Sequence, residues 1–202
     1  MSTCNNVNIQ GDYIYGYYLA DANRWYFLTL PFDTKVSDLQ LVEGGSYAIR
    51  YYDGAERATR LATGYSWKNF EADDIIPAGT GFIIQVSKSG YVNFKAQNNA
   101  TKQYALKNME FVKPMAKNAC ESNAHKGWNL VGNPFQCYYN LHRLGFTAPI
   151  TVWEDYHYVA YSPIDDDYAI LPNEAFFVQC PDDLDNLTFP INGKQMTDEI
   201  EQ

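Results

Sequence analysis

"GWNLVGNPF", Gly127–Phe135, decides how this chain is read, because it has a sibling in the first half, "RWYFLTLPF", Arg24–Phe32. Lay Trp25 on Trp128 and Phe27 meets Leu130, Leu28 meets Val131, Pro31 meets Pro134 and Phe32 meets Phe135, with no gap. Further on, "IIPAGTGFIIQV" (Ile75–Val86) answers "ILPNEAFFVQC" (Ile170–Cys180) with one deletion. Pro77 then meets Pro172, Phe82 meets Phe176 and Gln85 meets Gln179. Between these anchors "YAIRYYDG" answers "PITVWEDY", and after them "YVNF" answers "NLTFP". Four anchors in one order are hard to obtain by chance, and internal similarity is the first thing a sequence should be searched for. The reading is two tandem repeats, 12–110 and 111–195, followed by a polar tail, 196–202.

Each repeat reads as strands. The two opening runs stay apolar for the length of a strand and break at proline. "GFIIQV" and "FFVQC" are short β-branched and aromatic runs. "YAIRYYDGAERATR" alternates and carries an Asp-Gly pair, a hairpin signal, and "VWEDYHYVAYSP" reads as two strands about a tight turn. "SDLQLVEGG" and "YNLHRLGF" each suggest one short helical turn ended by glycine. The fold expected is therefore all-β: two related sandwich-like or barrel-like units, or alternatively one composite β-sandwich formed by both. Trp and Pro-Phe are common to both opening motifs and point to packing. Gly132-Asn133 has no counterpart in the first copy, so it reads as dispensable to the fold.

Composition narrows the partners. The chain has 202 residues and a net charge of −9. Residues 1–112 hold 10 Lys and Arg against 11 Asp and Glu; residues 113–202 hold 5 against 13. The acidity sits in the second half, and without clustered cations nucleic acid is excluded as a partner. No run is long and apolar enough to span a membrane as a helix, so no membrane insertion of this segment is expected. "MSTCNNVNIQ" has neither a basic start nor an apolar stretch, so any export signal is expected outside this segment. Cys4, Cys120, Cys137 and Cys180 allow three pairings, and their spacing lacks the CxxC of structural zinc.

"GWNLVGNPF", the Tyr- and Trp-rich hairpin segment and "ILPNEAFFVQ" together resemble a module of large secreted and cell-surface proteins of Bacteroidota. There the pattern runs G-W-N-L-[IV]-G-N-P-[YF], then a polar hairpin, then I-x-P-x-[QE]-[GA]-F-F-V. The likeness covers 25–113 and 127–190. It implies an extracellular or cell-surface location and a place within a longer protein, with the rest of that protein or another surface protein as partner. It brings no catalytic residues.

Residues able to carry chemistry are sparse. GxSxG, P-loop and HExxH patterns are absent. His125, His142 and His157 are scattered, and alternation puts His157 on an exposed strand face. Cys137 and His142 are close enough in sequence to be weighed as a nucleophile pair. Asp165, Asp166 and Asp167, with the acidic run Asp182–Asp185, are the only candidates for calcium. The aromatics are the stronger signal. Tyr13, Tyr15 and Tyr17 fall at period two, Tyr138 and Tyr139 are adjacent, and Trp153, Tyr156 and Tyr158 crowd the second hairpin. A flat aromatic face stacks on sugars or on a partner protein. The functional expectation is a non-enzymatic module for adhesion, assembly or spacing, or alternatively a carbohydrate-binding module of a glycan-utilisation system. Trp153, Tyr156 and Tyr158 are the expected ligand site.

Overall fold

The computed structural model describes residues 13–97 and 110–200. In the first half the strands are β1 (Ile14–Leu19), β2 (Tyr26–Leu28), β3 (Thr34–Lys35), β4 (Gln40–Leu41), β5 (Tyr47–Tyr52), β6 (Trp67–Asn69), β7 (Ile75–Ile76), β8 (Phe82–Val86) and β9 (Gly90–Lys95). One helix, α1 (Gly54–Arg60), lies between β5 and β6. The second half has β10 (Phe111–Pro114), β11 (Trp128–Gly132), β12 (Tyr138–Asn140), β13 (Ile150–Glu154), β14 (His157–Tyr161), β15 (Ala169–Ile170), β16 (Ala175–Gln179), β17 (Asn186–Phe189) and β18 (Lys194–Gln195). The protein is all-β, and none of the sheets among the described residues closes into a barrel.

Two four-stranded antiparallel sheets dominate, ordered β2-β8-β5-β6 and β11-β16-β13-β14. In each, the strand that opens with or just after the tryptophan pairs with the apolar run after the second proline. That run pairs with the first strand of the hairpin segment, which pairs with the second. Smaller sheets complete each half: β1-β9-β4 and β3-β7 in the first, β10-β17 and β15-β12-β18 in the second.

The central strands β8 and β16 are apolar at nearly every position because both their faces are covered, which is why they do not alternate. Phe82, Ile84 and Val86 face a core with Leu28, Phe32, Val92 and Phe94. Phe176 and Val178 face a separate core with Val131, Phe135, Tyr139 and Phe189. The described side chains thus form one main core in each half, not a single composite sandwich. The opposite face of the second sheet carries Leu130, Ala175 and Phe177, and these pack with Phe27, Tyr52 and Trp67 of the first half. The two large sheets are joined through their outer faces.

The tyrosine stripe is used for packing. Tyr13, Tyr15 and Tyr17 lie half-buried against the first core. The Tyr15 hydroxyl donates to Asn173 Oδ1 at 2.8 Å, and Gln136 Nε2 donates to the Tyr13 hydroxyl at 3.0 Å. Tyr139 is fully buried, and its hydroxyl donates toward the Pro190 and Arg143 carbonyls.

Several local expectations are corrected. Asp53-Gly54 is not a hairpin turn. Asp53 caps α1, its carboxylate accepting the Glu56 N–H at 2.8 Å, and β5 returns to β6 through a helix. Aspartate serves as N-cap as readily as turn residue, and the Ala, Glu and Arg that follow favour helix. The short helical turns expected at "SDLQLVEGG" and "YNLHRLGF" are present as 3-10 turns, Val36–Asp38 and Leu141–Arg143, but each ends at a leucine, Leu39 and Leu144, and not at a glycine. The second hairpin is tight as expected. Asp155 and Tyr156 both take positive φ, 46° and 65°, the two-residue turn that matches strand twist.

Gly132-Asn133 is not dispensable to the fold: Gly132 is required by the close approach of the first half, and Asn133 by a hydrogen-bonded turn within the second. A Cβ on Gly132 would sit 2.4 Å from the Glu174 carbonyl and 2.6 Å from Thr29 Cγ2. Thr29 is the residue that the sequence alignment sets against Gly132, so the first half fills the space that the second leaves open. Asn133 is fully buried; its amide donates to the carbonyls of Cys137 and Leu171 and its oxygen accepts the Phe135 N–H. Backbone bonds from Thr29 to Asn173, from Gly81 to Leu130 and from Gly132 to Gly79 stitch the same seam. Lys113 adds a tie across it, donating to Ala78 O and Thr80 Oγ1. Gly132→Ala should cost about 1–3 kcal/mol, the range for overpacking. Chemical denaturation of the purified variant measures this; a cost within 0.5 kcal/mol (roughly that of a free surface site) would refute the close approach.

Candidate functional site

The seam between the two large sheets opens into a cleft of about 510 Å³. Tyr52, Trp67 and Arg57 come from the first half; Trp128, Tyr158 and Phe177 come from the second. Thr63 and Thr151 add hydroxyl groups to its lining. The volume falls in the range of about 300–1,000 Å³ typical of small-molecule sites.

Strand register explains how the aromatics meet. Tyr52 pairs across the ladder with Trp67, and Trp153 pairs with Tyr158. Each pair stands two residues beyond the rung that ties its hairpin segment to the central strand, Arg50–Ile83 in one half and Thr151–Phe177 in the other. Phe27 and Phe177 lock the pairs together. Phe27 stacks on Trp153 at 5.8 Å and meets Trp67 and Phe177 edge-on. Phe177, 6% exposed, makes edge contacts with Tyr52, Trp67, Trp128 and Tyr158.

Helix α1 brings Arg57 to this wall. Gly54 lets its first turn press on the second half, since a Cβ there would lie 2.1 Å from the Trp128 carbonyl. The Arg57 guanidinium then sits over the Trp128 ring at 4.2 Å, a cation–π contact. Its Nη1 donates to the Tyr52 hydroxyl and its Nη2 to Ala124 O.

Of the three residues expected to bind a ligand, the structure puts only Tyr158 on the cleft, half exposed. Trp153 is half-buried, with its ring against Phe27 and Tyr158 as part of the joint between halves. Tyr156 is 72% exposed at the hairpin tip, beneath Arg24 at 5.2 Å, and does not line the cleft. Sequence reading missed Tyr52, Trp67 and Arg57, and assigned Trp128 to packing alone. The available signal was register: Tyr52 and Trp67 answer Trp153 and Tyr158 once strand pairing is known.

The other candidates are turned to local bonds. Asp165 accepts from the Ser162 hydroxyl, Asp166 accepts the Ser162 N–H, and Asp167 pairs with His142 at 2.9 Å. Asp182 and Asp185 pair with Lys126 and Lys117. Among the described residues no group of three or more His, Cys, Asp or Glu side chains is placed to hold a metal ion. Both ring nitrogens of His142 face oxygens, Pro163 O and Asp167 Oδ1, so neither is directed at Cys137. The Asp167 carboxylate and the Pro163 carbonyl raise the pKa of His142. His157 is exposed, as alternation implied. Among the described residues no disulfide joins Cys120, Cys137 and Cys180 to one another, and Cys4 lies outside the described residues.

A second cluster supports the seam. The Glu174 carboxylate accepts the Leu171 N–H at 2.8 Å and the Tyr168 hydroxyl at 2.9 Å. Tyr168 stacks on Tyr161, whose hydroxyl donates to Glu154 at 2.6 Å. Burial pushes Glu174 up to about 7, and Glu154 adds to the shift. The turn it braces presents Asn173, in the left-handed region at φ 60°, to Thr29: the Thr29 N–H donates to Asn173 O and Asn173 Nδ2 to Thr29 O.

Comparison of the chain with protein-family models, with curated proteins and with solved structures gives no match.

Glu174 makes stability depend on pH with a definite sign. Its folded pKa lies above the ordinary 4.5, so the folded state holds a proton that the unfolded state has released between about pH 4.5 and 7. Its contribution is full below 4.5 and is lost as pH rises to 7. Burial holds Lys113 at about 8, below its ordinary 10.5, so its contribution grows as pH rises between those values. Melting temperature against pH should therefore dip near 7–8. Glu174→Gln should remove the acid-side fall, worth on the order of 3 kcal/mol. A wild-type slope retained in the Gln variant would exclude Glu174 as its source.

Proposed function

We propose that this chain is a non-catalytic β module of an exported or cell-surface protein, built by duplication of one strand pattern, and that the cleft between its halves binds a saccharide. The observation that carries this reading is the meeting of Tyr52 and Trp67 from one half with Trp128 and Tyr158 from the other around one concave space, with threonine hydroxyls on its lining. Aromatic faces take the C–H faces of sugar rings, and a few placed polar groups fix their hydroxyls. The matching strand orders and the aligned tryptophans support duplication. The likeness to Bacteroidota surface modules supports the location. Adhesion, assembly or spacing within a larger surface protein is compatible with the same cleft, which would then be the grip by which the module holds a glycan.

Two tryptophans on the cleft provide the assay. Titrating the protein with a panel of oligosaccharides should change tryptophan fluorescence saturably for at least one of them. Tyr158→Ala should weaken that binding about tenfold, the loss of one aromatic contact. A folded protein whose fluorescence and calorimetric heats respond to no oligosaccharide would sink the saccharide reading and leave a spacer whose aromatics serve packing.

A further inference from the structure

We infer that the cleft is selective for an acidic saccharide, with Arg57 receiving the carboxylate of a uronic acid unit. This rests on the saccharide reading and adds a charge requirement to it. The chain has 24 Asp and Glu against 15 Lys and Arg, so cations are scarce and carboxylates are everywhere. Yet among the described residues the cleft is lined by no carboxylate, and Arg57 is the one charged group on it. The acidic residues nearest in sequence are engaged elsewhere. Glu56 pairs with Arg60 and Lys68, and Asp53 caps α1. Among the described residues Arg57 has no carboxylate partner.

A guanidinium carries five N–H donors. Those of Arg57 reach only Tyr52 and Ala124, two neutral oxygens, and the buried Nε has no acceptor among the described residues. A cation set against a tryptophan face with no counter-charge is costly to desolvate unless an anion completes it. The hydrogen bonds to Tyr52 and Ala124 and the Trp128 ring hold the guanidinium plane in place beforehand. Such a fixed planar fork matches a carboxylate. The ring of a uronic acid would rest on the aromatic wall while its carboxylate meets Arg57. Its remaining hydroxyls would face Thr63 and Thr151. The cation on the cleft also opposes the overall negative field that would otherwise repel an acidic glycan.

The test is isothermal titration of the full chain with galacturonate, glucuronate and alginate oligosaccharides, each beside its methyl ester, which keeps the ring and removes the charge. The expected result is that at least one uronate oligosaccharide binds, that its ester binds at least tenfold more weakly, and that affinity falls as salt is raised. Arg57→Gln should erase the difference between acid and ester, whereas Arg57→Lys should keep part of it; unchanged circular dichroism shows that both variants fold. Equal binding of acid and ester, unaffected by Arg57→Gln, would overturn the charge requirement and leave the saccharide reading standing. Binding of sulfated but not carboxylated glycans would overturn the assignment to uronic acids. Binding of no saccharide, charged or neutral, would overturn both.

Discussion

The contact of Phe27 with Phe177 is the interaction on which the rest depends. Each half has its own core, so each sheet has one face already satisfied. The opposite faces would expose Phe27, Tyr52, Trp67, Trp128 and Phe177 to water if the halves stood apart. Joining them buries that surface and worth follows from area, at about 25 cal/mol per Å². The geometry then has consequences. Aromatic rings meet edge-on, their planes cannot close over one another completely, and the space left between the two hairpin segments is the cleft. Arg57, Trp128 and Tyr158 are in position because the sheets are.

The seam explains features that belong to neither half alone. Gly132 is small because Thr29 occupies its place. Asn173 takes a left-handed conformation because its amide and carbonyl both serve Thr29. Glu174 is tolerated where burial raises its pKa because it braces that turn. Polar groups placed this way are satisfied with protein partners and fix register, which non-directional apolar contact cannot do. The cleft therefore rests on a joint specified twice, by aromatic packing and by hydrogen bonds that tolerate little sliding.

Much of the fold was legible in the sequence. Proline-terminated apolar runs gave the strands, and the Asp155-Tyr156 turn followed from alternation on either side. Helix α1 was not legible, because Asp-Gly serves a cap and a turn equally well and only packing against Trp128 chooses between them. The site was half legible. Aromatic density in the second hairpin pointed to the right sheet edge, yet it named Trp153, which packs in the joint, and Tyr156, which stands exposed at the hairpin tip, beside Tyr158, which lines the cleft. The missing information was which face of each strand meets the other half. Period-two alternation tells the two faces apart, but when both are covered, as in β16, it cannot say which neighbour covers which. Arg57 was illegible for a related reason: its meaning comes from a tryptophan far along the chain.

A double-mutant cycle between Phe27 and Phe177 tests the joint most directly. Phe27→Ala, Phe177→Ala and the double variant would be unfolded in denaturant and their stabilities compared. The account predicts a coupling energy of about 0.5–1.5 kcal/mol between the two rings, the value of a direct aromatic contact. Strict additivity, with no coupling beyond error, would mean that the two sheets do not meet through these residues, and the cleft built on their meeting would go with them.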